Sequence, residues 1–223
     1  DGPTHHGAFD LGYMRLFPNM VVMAPGDEHD LKSMLPWALE HDGPVSLRYP
    51  KTVADSHAGK RDPIQLGKAE VLRDGSDGLI IACGTLLGAA LEAAASLVDE
   101  GLNVTVINAR FIKPLDTDLL LSRIFKAPWV VTVEENTLPT GFGSAVLEAL
   151  NEARPTAPSA SGPLVRLGLP DHFVEHGERG ELLSELGLDA RGIAATCRRL
   201  AGSESSVISG QSIDEQEAQT ARS

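Results

Sequence analysis

Short apolar runs alternate with helix-period stretches along most of this chain. Val21-Val22-Met23-Ala24 is a continuous apolar run closed by Pro25-Gly26. Asp27 follows, and it suits a helix N-cap because its carboxylate can accept from the free N–H groups of the first turn. Leu31, Met34, Leu35, Ala38 and Leu39 then recur at i, i+3, i+4, i+7 and i+8, one face of a helix. His41-Asp42-Gly43-Pro44 stops it, and Val45 to Tyr49 reads as the next strand. Strand, helix, strand is the unit of a parallel sheet.

From about Pro50 to Leu66 the rhythm breaks. Pro50, Asp55, Gly59, Lys60, Arg61, Asp62 and Pro63 fall together with almost no periodicity, which marks a linker between domains. A second alternation then begins. Leu79 to Ala82 is a buried strand, with Thr85 as the expected cap of a helix running to about Val98. Asn103 to Ile107 is a strand and Thr117 to Phe125 a helix. Val130 to Val133, Ser144 to Glu152 and Leu164 to Leu167 continue the series as strand, helix and strand. Two helices, near Glu178–Leu186 and Ala190–Leu200, close it. Strands that are apolar throughout are covered on both faces, as in a doubly wound α/β sheet. The organisation expected is residues 1–55 as the C-terminal part of one domain, 56–66 as linker and 67–201 as a second domain. Residues 202–223, rich in Ser, Gln and Glu, form a disordered tail.

Composition narrows the functional classes. A formal net charge of −12 argues against non-specific nucleic-acid or anionic-membrane binding, since both need a basic surface. A phosphorylated substrate would have to be held by a few local cations. Cys83 and Cys197 form neither a metal-ligand spacing nor a disulfide framework, so a reducing, cytoplasmic setting fits. No apolar run approaches the length of a membrane span. The opening Asp1-Gly2-Pro3-Thr4-His5-His6-Gly7 is loop-like with no element before it, as expected of a chain cut within a loop.

Four places invite chemistry. Asp1, His5 and His6 put a carboxylate and two imidazoles within six residues, suited to acid–base work near neutral pH. The competing reading is an ordinary polar loop; adjacent loop histidines seldom both reach one metal ion. Arg48 ends a strand, where ligands of open parallel sheets gather, and its guanidinium fork matches a phosphate; a surface ion pair is the alternative. Arg15 closes a short helical segment and is expected to satisfy carbonyl groups there. Glu134-Glu135-Asn136 before the glycines Gly141 and Gly143 suggests acid catalysis or an anion cradle, but neither signal is specific, and an interface or structural role is expected. His172 and His176 stand four apart, yet Gly168, Pro170 and Val174 argue for a structural loop rather than a helical metal pair.

Several of these segments resemble a known family. Asp1-Gly2-Pro3-Thr4-His5, followed by Met14-Arg15-Leu16-Phe17-Pro18-Asn19-Met20, is similar to the substrate loop in the pyrimidine-binding domain of the transketolase superfamily. Val131-Thr132-Val133-Glu134-Glu135-Asn136, Gly141-Phe142-Gly143-Ser144-Ala145-Val146, the loop Gly168 to Gly177 and Leu186-Gly187-Leu188-Asp189-Ala190 resemble the 1-deoxy-D-xylulose-5-phosphate synthase family. The resemblance runs from Asp1 to about Gly202.

It implies a partial transketolase-like pyrimidine-binding domain followed by a Rossmann-like, doubly wound transketolase C-terminal domain. It also implies a homodimeric transferase that joins pyruvate to D-glyceraldehyde 3-phosphate with loss of CO2, using thiamine diphosphate and Mg2+, at the first step of non-mevalonate isoprenoid precursor synthesis. By the same resemblance Asp1 accepts a hydrogen bond from a substrate hydroxyl. His5 gives a proton or hydrogen bond to oxygen beside the thiazolium ring, and Arg48 holds the acceptor's phosphate. The family's Gly-Asp-Gly segment for diphosphate and Mg2+, and the glutamate that activates the aminopyrimidine, have no counterpart here. No cofactor or metal ligand is therefore expected in this chain, which by itself should be inactive, with residues 1 to about 55 incompletely packed. Two alternatives remain open: the C-terminal subunit of a split transketolase, and a non-catalytic dimerisation module.

Overall fold

After a short helix, α1 (Asp10–Met14), strand β1 (Val21–Met23) runs through the interior with all its side chains buried, as its unbroken apolar sequence requires. The structure is a computed structural model and describes residues 2–57, 59, 61–153 and 162–202. Helix α2 (Glu28–Glu40) crosses from β1 to the parallel strand β2 (Val45–Leu47), so the first β–α–β unit forms as its periodicity predicts. Asp27 caps α2: its Oδ1 accepts from the Asp30 N–H at 2.9 Å, a bond of the kind that contributes about 1 kcal/mol.

The apolar face of α2 is less fully used. Met34 is completely buried, whereas Leu35 is 53% and Leu39 81% exposed. The reason is the sheet beneath, which has three short strands in the order β2-β1-β6, too narrow to cover the whole stripe. Leu16, Phe17, Tyr49 and Val53 are exposed as well.

The second sheet is built from β3 (Glu70–Arg73), β4 (Leu79–Cys83), β5 (Thr105–Asn108), β7 (Val130–Thr137) and β8 (Leu164–Leu169), in the order β3-β5-β4-β7-β8. Strands β5, β4, β7 and β8 are parallel, and β3 joins the edge antiparallel. The remaining elements are α3 (Leu87–Val98), β6 (Phe111–Lys113), α4 (Thr117–Ile124), α5 (Phe142–Ala153), α6 (Arg179–Glu185) and a helix α7 over 190–202. Ile80 and Ala82 face the side covered by α3 and α7, while Leu79, Ile81 and Cys83 face α4 and α5. That is the doubly wound arrangement expected, with chain reversal at β4 opening a crevice at the strands' carboxyl ends.

Three features depart from the sequence expectations. Strands β3 and β6 are additional; each is short, and β3 is a half-exposed edge with no apolar run to announce it. Thr85 does not cap α3: the segment Gly84–Leu86 is a 3-10 turn, and the Thr85 hydroxyl bonds to Glu135 instead. Strand β6 lies beyond the expected linker but pairs antiparallel with β1, Met23 opposite Phe111, so the first three-stranded sheet draws on both sides of that linker. The linker itself is anchored. Arg61, 3% exposed in its side chain, donates to Asp27, Asp30 and Glu70. The tail beyond residue 202 lies outside the described residues.

Candidate active-site cavity

Three chain segments converge on a cavity of about 500 Å3. The first is the loop of residues 2–7. The His5 and His6 N–H groups both donate to the Gly2 carbonyl, at 2.9 and 3.1 Å, closing a tight turn. Gly2 and Gly7 bound this turn at φ of 93° and 70°, backbone that a side chain would strain. The His5 ring is exposed, with Nδ1 2.8 Å from the Thr4 hydroxyl. The His6 Nε2 lies 3.1 Å from the Val174 carbonyl and 3.3 Å from that of Glu175.

Arg48 forms the second wall. Its backbone N–H donates to the Met23 carbonyl at 2.9 Å, extending the β1–β2 ladder by one step. This places the side chain at the carboxyl edge of the sheet. Its Nη2 donates to the Glu135 carbonyl at 2.8 Å, with the Gly7 carbonyl at 3.5 Å, so the guanidinium bridges the loop of residues 2–7 and strand β7.

The third wall is the end of β7 with the segment leading into α6. Between Val133 and Thr137 the register of β7 with β8 shifts, and residues 134–136 sit in that irregularity. Each of the three anchors a different element. Glu134, wholly buried, accepts from the Phe142 and Gly143 N–H groups at 2.6 and 2.8 Å and so holds the start of α5. Burial pushes its carboxyl up to about 7, while those two N–H groups, Arg166 and Arg15 oppose the rise. Glu135 accepts from Arg179 through both oxygens, Nε at 2.8 Å and Nη2 at 2.6 Å, and from the Thr85 hydroxyl at 3.2 Å. Hydrogen bonding to Glu135 raises the Arg179 guanidinium above its ordinary value. Asn136 accepts from the Leu11 N–H at 3.2 Å and so holds α1.

The sequence-derived candidates therefore separate. His5, His6 and Arg48 line one cavity, as does His176. Asp1 lies outside the described residues. Arg15 is elsewhere: it donates to the Thr140 and Gly141 carbonyls at 2.7 and 3.1 Å and pairs with Glu148, satisfying carbonyls ahead of α5. His172 and His176 sit on an irregular loop, as expected, and His172 lines a separate small hollow with Phe9 and Phe173. Cys83 is a packing residue whose thiol is pushed far up by burial, with the Glu134 charge adding to the shift. Sequence reasoning missed Arg179. Nothing in local spacing links it to Glu135, because the pairing is made by the fold.

The cavity combines guanidinium groups that suit an anion with imidazoles able to move a proton. It does not suit a divalent ion bound to a diphosphate. Among the described residues the one group of carboxylates and imidazole close enough for a metal is Asp27, His29 and Asp30, and both carboxylates are taken up by Arg61, with Arg110 also on Asp30. Among the described residues no helix is long and apolar enough to cross a membrane.

Comparison with known proteins agrees with this architecture. The family model for the transketolase C-terminal domain matches residues 67–193, and that for the transketolase pyrimidine binding domain matches residues 1–55. The chain is 50% identical over 207 residues to 1-deoxy-D-xylulose-5-phosphate synthase 2 of Geobacter sulfurreducens, covering 90% of this chain and 32% of that protein. The corresponding figures for the 1-deoxy-D-xylulose-5-phosphate synthase of Gloeobacter violaceus are 48% identity, 92% and 32%. For that of Rhodopirellula baltica they are 46%, 93% and 32%. This chain thus spans about a third of the length of the curated relatives it matches. A solved split-gene transketolase, described as an inactive beta4 tetramer, superimposes with a TM-score of 0.75 at 32% identity, over 87% of this chain and 61% of that one. One family model accounts for more than half of the residues: the chain belongs to the transketolase family, and most of its length is homologous to 1-deoxy-D-xylulose-5-phosphate synthases.

Proposed function

We propose that this chain supplies the acceptor-substrate side of a 1-deoxy-D-xylulose-5-phosphate synthase, which joins pyruvate to D-glyceraldehyde 3-phosphate with loss of CO2. One observation carries the reading. His5 and Arg48, distant in sequence, stand on the wall of one cavity at the carboxyl edge of the sheets, where this fold class binds ligands. Arg48 takes the phosphate of the acceptor aldehyde. Its Nη2 is held by backbone carbonyls, and among the described residues Nε and Nη1 have no hydrogen-bond partner, which leaves N–H donors for an anion. His5 gives a proton or hydrogen bond to the acceptor's carbonyl oxygen as charge develops there. Asp1 accepts from a substrate hydroxyl.

When bound, thiamine diphosphate supplies stabilisation of the carbanion left as pyruvate loses CO2. Its diphosphate and Mg2+ are held by parts of the protein other than the residues described, so this chain alone is inactive. The whole protein is a cytoplasmic homodimer in this reading, and its product feeds isoprenoid precursor and thiamine synthesis.

The test is Arg48→Ala in the full-length enzyme. Loss of a charge-assisted phosphate contact raises the KM for D-glyceraldehyde 3-phosphate ~10-fold or more, and that for pyruvate little. Equal effects on both substrates would sink the assignment. A second reading, the C-terminal subunit of a split transketolase, is favoured by the likeness to the split-gene transketolase. Ketol transfer from a sugar phosphate without CO2 release would select it.

A further inference from the structure

Arg179 and Glu135 form an ion pair that the substrate assignments above leave unused. We infer that this pair is a positioning device for Arg48, and that it sets the enzyme's affinity for the phosphate of the acceptor; the inference rests on the reading of Arg48 as the phosphate-holding group.

Glu135 is bound at both ends. Its main-chain carbonyl accepts from Arg48 Nη2 at 2.8 Å. Its side chain accepts from Arg179 through both carboxylate oxygens and from the Thr85 hydroxyl, which in turn accepts from Arg179 Nη2 at 3.0 Å. A carbonyl in a regular strand would need no such help, because the ladder on either side fixes it. Here the ladder is broken: the β7–β8 register shifts between Val133 and Thr137, across residue 135. At residue 135 the side-chain carboxylate is held instead, by Arg179 and Thr85. A bidentate arginine–carboxylate pair suits the task because its planar fork admits one orientation.

The network also couples distant segments. Thr85 follows β4, Glu135 lies near the end of β7, and Arg179 is the first residue of α6. Glu135 is largely buried, at 15% side-chain exposure, while Arg179 is 37% exposed, so the pair is only partly shielded from water. Arg179 lines the cavity as well, but its charge is matched by Glu135. Arg48 has no carboxylate partner among the described residues. The two guanidinium groups therefore divide the work, Arg48 facing the anion and Arg179 steadying the carbonyl that aims it.

The experiment uses the full-length enzyme with D-glyceraldehyde 3-phosphate and, in parallel, unphosphorylated D-glyceraldehyde as acceptors. Arg179→Ala and the milder Arg179→Gln are each made alone and in an Arg48→Ala background, with a thermal melt to establish that each is folded. The expected result is a 5- to 20-fold rise in KM for the phosphorylated acceptor, little change in kcat, in the KM for pyruvate or in the use of D-glyceraldehyde, and no further loss when Arg48 is already alanine. A further, multiplying loss in the Arg48→Ala background would overturn the inference and make Arg179 a phosphate ligand in its own right. An unchanged KM in both folded Arg179 variants would overturn it too, as would equal losses for both acceptors. Failure of the underlying reading looks different: Arg48→Ala would then weaken both acceptors alike.

Discussion

Arg110 Nε lies 3.0 Å from the Oδ1 of Asp30, joining the turn between β5 and β6 to helix α2 through a pair that is 1% and 0% exposed. Asp30 also accepts from Arg61 at 3.1 Å, from the Gly26 N–H at 3.1 Å and from the Asn108 amide at 2.7 Å. Asp27 and Glu70 complete a cluster of three carboxylates around two guanidinium groups. Asp30→Ala would leave the guanidinium groups short of a counter-charge in a dry site, which costs about 3–5 kcal/mol. Urea unfolding of this chain measures it. A loss below about 1 kcal/mol would show that water reaches the cluster.

Met34 and Leu39 lie on one stripe of α2 by periodicity, yet one is buried and the other largely exposed. Met34→Ala is expected to cost about 2–5 kcal/mol through its cavity. Leu39→Glu is expected to stay within about 0.5 kcal/mol in this chain, since it removes little buried surface. Similar costs for both, in the same denaturant titration, would mean that Leu39 is covered in solution.

Glu134 makes stability depend on pH in an unusual direction for a carboxylate. Burial raises it from an ordinary 4.5 to about 7, so between those values the folded chain keeps a proton that the unfolded chain has lost. Its contribution is present in full below pH 4.5 and is lost as pH rises through 7, a change on the order of 3 kcal/mol. Unfolding free energies measured across that window should fall, and Glu134→Gln should flatten the slope. An unchanged slope in the variant would assign the pH dependence to other groups.

His6 ties the loop carrying His5 to the carbonyls of Val174 and Glu175. His6→Ala in the full-length enzyme should lower kcat ~10-fold or more, as loosened positioning of a reacting group does. His6→Gln keeps an N–H donor and should recover most of the rate. Equal losses in both variants would point to a need for the imidazole itself.

Much of the architecture is legible in the sequence. Apolar runs at Val21–Ala24, Leu79–Ala82 and Val130–Val133, and the 3.6-residue stripe of α2, are local signals, because burial on one face or two dictates the residue at each step. The same holds for Asp27 as a cap, which acts within its own turn. His5 and Arg48, picked out by residue type and by position at a strand end, line one cavity in the structure.

Other features were decided only when the chain closed on itself. Arg61 with Asp27 and Asp30, and Glu135 with Arg179, are pairs between segments remote in sequence, and a charged residue gives no local sign of which partner it will meet. The exposure of Leu35 and Leu39 follows from the width of the sheet below α2, not from their own stripe. Strand β6 pairs with β1 from the far side of the linker, a contact that no local pattern announces. Periodicity sets what a segment buries; tertiary packing sets what it is buried against, and with it which carbonyl steadies Arg48 at the edge of the cavity.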